Sequence, residues 1–181
     1  LSSGIAVISC VSMLIIFALN NSPIIAILLI TALAGALGGF LPFNFNPAKT
    51  FMGDAGSNFL GYCLAVISIF GVAKTYTLVL IVAPLIILGL PVIDTLVAIV
   101  RRIIKGKSIK AIMQADKGHL HHRLLNLGFS QREAVLIMYA ITAALGLFTI
   151  VLIDSGIWKA LSFLLMVILI IAIGYRNFEN F

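Results

Sequence analysis

The sequence predicts an all-α protein, a polytopic transmembrane helical bundle of about six spans. Three observations carry that prediction. Of the 181 residues, 62% are apolar and only 10% are charged, with a mean hydropathy of +1.20. One water-soluble core cannot enclose so much apolar surface, and at ~20 residues per span it fills roughly five or six helices. The apolar residues also fall into six runs, with most charges collected in two of the connections between them. A soluble enzyme, a disulfide-built secreted domain and a disordered tail are excluded.

The runs are 1–19, 23–41, 58–73, 77–100, 133–153 and 157–175. Each is read as a helix, because an open sheet would leave backbone groups unpaired in lipid. The third run is short and is expected to tilt or to extend into its flanks. Connections 20–22, 74–76 and 154–156 are hairpin turns, whereas 42–57 and 101–132 are long and polar. Ser130 and Glu133 have capping-box spacing ahead of the fifth run. Gly35 and Gly39 form a G-x-x-x-G pattern, read as a close helix contact. Cys10 and Cys63 lie inside apolar runs and read as small buried hydrophobes, with no disulfide or metal framework.

Charge placement gives an orientation. The formal net charge of +6 comes from twelve Lys+Arg against six Asp+Glu. Lys49, Arg176 and the eight basic residues between Arg101 and Arg132 fall on the side of the long loops, and only Lys74 and Lys159 fall opposite. Basic loops stay in the cytoplasm, so the long loops are expected on the cytoplasmic face. The basic excess therefore reads as membrane topology, and no nucleic-acid partner is expected. Arg101, Arg102, Lys105, Lys107 and Lys110 are read as holding the second loop at anionic membrane lipid. The chain opens on Leu1 and enters an apolar run at once, without the pattern of a signal peptide. It reads as a piece of a longer protein whose beginning is missing.

In the first loop, Asp54 stands between Gly53 and Gly56, with Ser57 placed to cap the third helix. Glycines let the backbone approach a ligand, helix N-terminal amides favour an anion, and Mg²⁺ commonly takes one or two carboxylates plus substrate phosphates. Lys49 can add a phosphate contact. A purely local role, with Asp54 and Ser57 capping a helix in a Gly-rich turn, fits this spacing equally well.

In the second loop, residues 116–128 read D-K-G-H-L-H-H-R-L-L-N-L-G. A helix over 119–127 would put His119, His122, Arg123 and Asn126 on one face and turn His121 towards Leu125. Leu120, Leu124 and Leu127 would share a neighbouring face, against the membrane surface or the bundle. Gly128 would end the helix. Two imidazoles, a guanidinium and an amide suit a polyphosphate; zinc is a weaker competitor, lacking further ligands. Asp94 lies about seven residues inside the fourth run, roughly 10 Å from its Arg101 end. Intramembrane carboxylates are functional suspects, but Arg101 and Arg102 could reach back to pair with it, and a structural or site-shaping role is favoured.

Three strings occur in order: N-F-N-P-A-K-T-F-M-G-D-A-G-S-N-F-L-G, P-V-I-D-T-L-V-A-I-V-R-R and D-K-G-H-L-H-H-R-L-L-N-L-G. Together they resemble the bacterial polyprenyl-phosphate N-acetylhexosamine-1-phosphate transferases, over essentially the whole chain. The sister family that makes the first lipid intermediate of peptidoglycan shares the aspartate string but differs at the histidines. The resemblance implies transfer of a sugar 1-phosphate, with N-acetylglucosamine the commonest sugar, from a UDP-N-acetylhexosamine to undecaprenyl phosphate. UMP is released, Mg²⁺ is the cofactor, and the site faces the cytoplasm at the bacterial plasma membrane. The reaction would begin a cell-envelope glycan such as teichoic acid or O-antigen, and a homodimer is plausible.

By the same likeness Asp54 would bind Mg²⁺ and act in catalysis together with His119. Asn44, Lys49, Asp116, Lys117, His121, His122 and Arg123 would meet substrate. The family's paired aspartates and its N-x-x-D-G-x-D-G string are absent. Residues 1–181 therefore read as the C-terminal part of one multi-span catalytic domain, expected to be inactive alone. The competing reading is a non-catalytic membrane transport or scaffold subunit.

Overall fold

The computed structural model describes residues 1–72, 78–106 and 118–178. Within them the chain forms eight helices: α1 Ser2–Leu19, α2 Ile24–Asn44, α3 Gly53–Val72, α4 Leu78–Ile87, α5 Gly89–Gly106, α6 Leu120–Asn126, α7 Gln131–Ser155 and α8 Ile157–Phe178. Helices α1, α2, α3 and α7 are each long and apolar enough to cross a membrane. The expected turn at 74–76, together with Lys107, Lys110, Asp116 and Lys117, lies outside the described residues.

The expected runs are recovered as helices, with three differences. The fourth run is broken at Leu88 into α4 and α5. Proline has no N–H, so Pro91 cannot bond back to the Ile87 carbonyl, and the helix is interrupted there; Leu88 N–H still donates to Pro84 O at 2.9 Å and Val92 N–H to Leu88 O at 3.1 Å. The third run starts at Gly53, earlier than its hydropathy indicates, and α2 continues through Pro42 to Asn44. The first polar loop is thereby reduced to 45–52. The Gly35–Gly39 pattern makes no close contact within the chain: a Cβ on either would meet no atom within 4 Å.

Helix α1 is the axis of the bundle, packed against α2, α3, α4 and α7. Cys10, Met13, Ile16 and Phe17 of α1 join Ile30, Leu37, Leu60, Leu64 and Ile87 in the main core. Small residues set the closest approaches. A Cβ on Gly71 would fall on the Phe17 ring, one on Gly4 on the Tyr139 ring, and one on Gly146 on the Ser12 hydroxyl. The buried Ser12 hydroxyl donates to Ile8 O at 3.0 Å, so the polar atom in that seam is satisfied within its own helix. A second, smaller core of Ile5, Leu90 and Met138 lies towards the start of α1, with Leu120, Leu124 and Tyr139 packed on it. Of the two places open to the α6 leucines, Leu120 and Leu124 take the bundle, while Leu127 stays exposed.

The ends of α6 and the start of α7 are locally encoded. Gly128, at φ +95°, follows α6 and permits a Schellman closure: Phe129 N–H donates to Leu124 O at 3.2 Å and Gly128 N–H to Leu125 O at 3.0 Å. The expected capping box opens α7, with Glu133 N–H donating to Ser130 Oγ at 3.3 Å and Ser130 N–H to Glu133 Oε2 at 2.7 Å.

These packing differences give a direct comparison. Gly71→Ala must displace the buried Phe17 ring and should destabilise the protein by about 1–3 kcal/mol. Gly35→Ala, with open space at its Cβ, should not. Thermal unfolding in detergent micelles reads both; equal midpoints for the two variants would contradict this packing.

Candidate active site

The polar groups gather at one end of the bundle, where α1 and α7 begin and α2 ends. Asn44, the last residue of α2, accepts from Ser3 Oγ at 2.6 Å and donates through Nδ2 to Thr50 O at 2.9 Å. Lys49 and Thr50 N–H both donate to Phe43 O, at 2.8 and 3.1 Å. Asn46 Nδ2 donates to Gln131 Oε1 at 2.9 Å, and Asn46 Oδ1 accepts from Arg132 Nε at 3.2 Å. The first loop is thus tied to the starts of both α1 and α7.

The histidines arrive from the other loop. Asp94, in the second turn of α5, meets two successive residues: Oδ2 lies 2.9 Å from His119 Nδ1, and Oδ1 accepts from Leu120 N–H at 2.8 Å. This partner differs from the arginines expected for Asp94. Arg101 and Arg123 line a small cleft beside the same carboxylate.

His119 caps α6 in an extended conformation, φ −61° and ψ 153°, so the helical face expected over 119–127 does not apply to it. As a consequence His121 does not turn away. Its ring stacks on His119, with centroids 6.0 Å apart and an interplanar angle of 12°, and meets His122 at 4.2 Å. The three imidazoles form one row. Burial, followed by the neighbouring His122 and His119, lowers the pKa of His121 from the ordinary histidine value.

Two clefts flank this row. One, of ≈ 360 Å³, is lined by Asn44, Asn46, His121, His122, Gln131 and Arg132 with several apolar residues. The other, of ≈ 580 Å³, is mainly apolar and runs between α1, α3 and α5; Asp94 and His119 stand in its wall with Ser57, Leu60, Leu64 and Pro91. Asn44, His121 and His122 are therefore brought together. Gln131 and Arg132 complete their cleft but were not singled out by the sequence; Arg132 counts there only as a loop charge, and its place two residues after the Ser130 cap is the one local hint.

Asp54 and Lys49 are both exposed and line neither cleft. Asp54 lies in the first turn of α3, which begins at Gly53 with φ +69°, where a negative charge complements the helix dipole. Ser57 is not the cap of that helix: its hydroxyl donates to the Asp54 carbonyl at 3.0 Å, inside the first turn. Among the described residues no group of three His, Cys, Asp or Glu is arranged to hold a metal. Asp116 and Lys117 lie outside the described residues.

Comparison with known proteins agrees with the shared strings. A family model described as glycosyl transferase family 4 matches residues 1–72. The chain is 40% identical over 173 residues, 96% of its length, to the probable undecaprenyl-phosphate N-acetylglucosaminyl 1-phosphate transferase of Bacillus subtilis. The chain is thus similar to this family over its first 72 residues and to the Bacillus relative over nearly its whole length.

Further relatives are similar over shorter stretches. Identity is 44% over 121 residues, 59% of the chain, with the decaprenyl-phosphate N-acetylglucosaminephosphotransferase of Mycolicibacterium smegmatis. It is 42% over 71 residues, 38% of the chain, with the phospho-N-acetylmuramoyl-pentapeptide-transferase of Chlamydia trachomatis. The chain spans 47%, 28% and 21% of these three relatives' lengths. No solved structure matches it.

The histidine row makes a pH prediction. Charging His121 is disfavoured in the folded protein, so its contribution to stability is complete above the ordinary value of about 6.5 and is lost as pH falls through the lower folded value. A ¹⁵N-histidine titration, assigned with His121→Gln, should find His121 titrating below an ordinary histidine. A value at or above the ordinary one would contradict the packed row.

Proposed function

We propose that this chain supplies the nucleotide-sugar end of a phosphoglycosyl transferase site, passing N-acetylglucosamine 1-phosphate from UDP-N-acetylglucosamine to undecaprenyl phosphate with release of UMP. The observation that carries this reading is the joint presence of Asn44, His121, His122 and Arg132 around one cleft at one end of an apolar bundle. Support comes also from the names of the Bacillus and mycobacterial relatives, both polyprenyl-phosphate N-acetylglucosamine-phosphate transferases. The excess of basic residues in the long loops supports a site on the cytoplasmic face of the plasma membrane.

The chemistry follows from what each group can offer. A pyrophosphate needs donors spread over several oxygens. Arg132 offers guanidinium N–H groups beyond the Nε–H used on Asn46, and the imidazoles can donate or carry a proton near neutral pH. Asn44 holds the loop in place with one donor and one acceptor, and keeps one of each for a ligand. The acceptor phosphate attacks the sugar-bearing phosphorus while the bond to UMP breaks, and His119 is placed to manage a proton at the border of the apolar cleft. That cleft suits a lipid-borne substrate, and the polar one a soluble donor.

Asp54 fits Mg²⁺ as far as its chemistry goes: it is a hard oxygen donor, exposed, and Mg²⁺ needs only one or two carboxylates when substrate phosphates and water complete its shell. Bound there, the ion would offset the charge of the phosphates. Lys49 and Arg123, exposed on the same end, would add to the field that draws an anionic donor in.

Formation of radiolabelled lipid-linked sugar in membranes, with the full natural protein, tests this reading. Product should require Mg²⁺, and Asp54→Asn should lower turnover at least about 100-fold. Full turnover in Asp54→Asn would remove the metal role. No product from any of several UDP-sugars would favour a non-catalytic transport or scaffold subunit.

A further inference from the structure

We infer that Asp94 is a positioning residue that fixes the tautomer of His119, holding the proton on Nδ1 and leaving Nε2 as the basic nitrogen offered to the reaction. The inference deepens the transferase reading and, for its catalytic consequence, rests on it. Its geometric part stands alone.

One carboxylate binds two adjacent groups of the chain. Oδ1 takes the Leu120 N–H at 2.8 Å, a backbone donor at the start of α6, and Oδ2 lies 2.9 Å from His119 Nδ1. The first bond fixes where α6 starts; the second fixes the ring. An ionised carboxylate can only accept, so Nδ1 must carry the proton, and in the neutral ring Nε2 does not. With the side chains of Asp94 and His119 only 17% and 29% exposed, water competes weakly for either bond. The packing of Leu120 on the Ile5, Leu90 and Met138 cluster holds the backbone at the right distance. A histidine oriented through Nδ1–H by a carboxylate is the arrangement that presents Nε2 as a general base and stabilises the charged ring once it takes a proton.

Asp94→Asn separates this role from a merely structural one. An asparagine Oδ1 can still accept the Leu120 N–H and keep α6 started. Its Nδ2 now donates to His119 Nδ1, which drives the proton to Nε2. The chain has three histidines, so ¹⁵N-histidine labelling of the full natural protein in nanodiscs, assigned with His119→Gln, reads the tautomer directly. The expected result is an Nδ1–H ring in the natural protein and an Nε2–H ring in Asp94→Asn. An Nε2–H ring or an even mixture of tautomers in the natural protein would overturn the inference whatever the variant does, and so would an unchanged ring in Asp94→Asn.

Turnover supplies the second arm. Asp94→Asn should lower kcat on the order of 10-fold or more, with KM for UDP-N-acetylglucosamine unchanged. The double variant with His119→Gln should be no slower than His119→Gln alone, because Asp94 acts through that ring. Additive losses, or undiminished kcat with the tautomer reversed, would overturn the catalytic consequence. A protein that shows the expected tautomers but no turnover with any donor would refute the transferase reading and leave the tautomer lock standing.

Discussion

The Asp94 carboxylate takes one hydrogen bond from a histidine ring and one from the next backbone amide, and through them a polar segment 25 residues further along is seated on α5. Helix α6 has seven residues and no buried side chain, too short to persist by helix propensity alone. Its anchors are this carboxylate at its start, the two leucines laid on the small core, and the Gly128 closure at its end. A largely buried carboxylate costs free energy unless it is paired. Here the pairing also defines where the histidines lie.

That anchor explains why the helical-face argument failed in detail. Spacing alone puts His119 in phase with His122 and turns His121 away, but phase applies only to residues inside the helix. Because the carboxylate holds His119 as the cap, its backbone is extended, and its ring turns to stack on His121. The sequence carried both halves of the interaction: Asp94 stood out as an intramembrane acid, and the histidines as a cluster. Their pairing spans a sequence separation that no periodicity encodes. Arg132 and Asn46 were missed for the same reason, since their bond joins the first loop to the start of α7.

Other parts were legible because they are local. Lipid forces the backbone to satisfy itself, so hydropathy alone marks the helices well, and the capping box and Gly128 appear where their residues stand. Boundaries were less legible at the two ends of the first loop. Hydropathy stops at Leu41 and resumes at Asn58, yet Pro42, Phe43 and Asn44 continue α2, and small and polar residues start α3 at Gly53. Those extra turns carry Asn44 and Asp54 on helix ends rather than on a loose loop. The break at Leu88 was readable in principle from Pro91, but hydropathy does not register a missing N–H.

Preorganisation follows from how the first loop spends its polar groups. Asn44 joins α1 to the Thr50 carbonyl, and Asn46 joins Gln131 to Arg132. None of these bonds uses the imidazoles. The loop is therefore held by neutral amides and one guanidinium nitrogen, while the charged and titratable groups remain available at the cleft. A site that must receive a polyanion gains from this division, because donors already fixed in place need not be reoriented as charge arrives. It also accounts for the location of the cleft at the meeting of α1, α2 and α7. Helices α1 and α7 meet through two close seams, Gly4 on Tyr139 and Gly146 on Ser12, and side chains projecting from their ends inherit that rigidity.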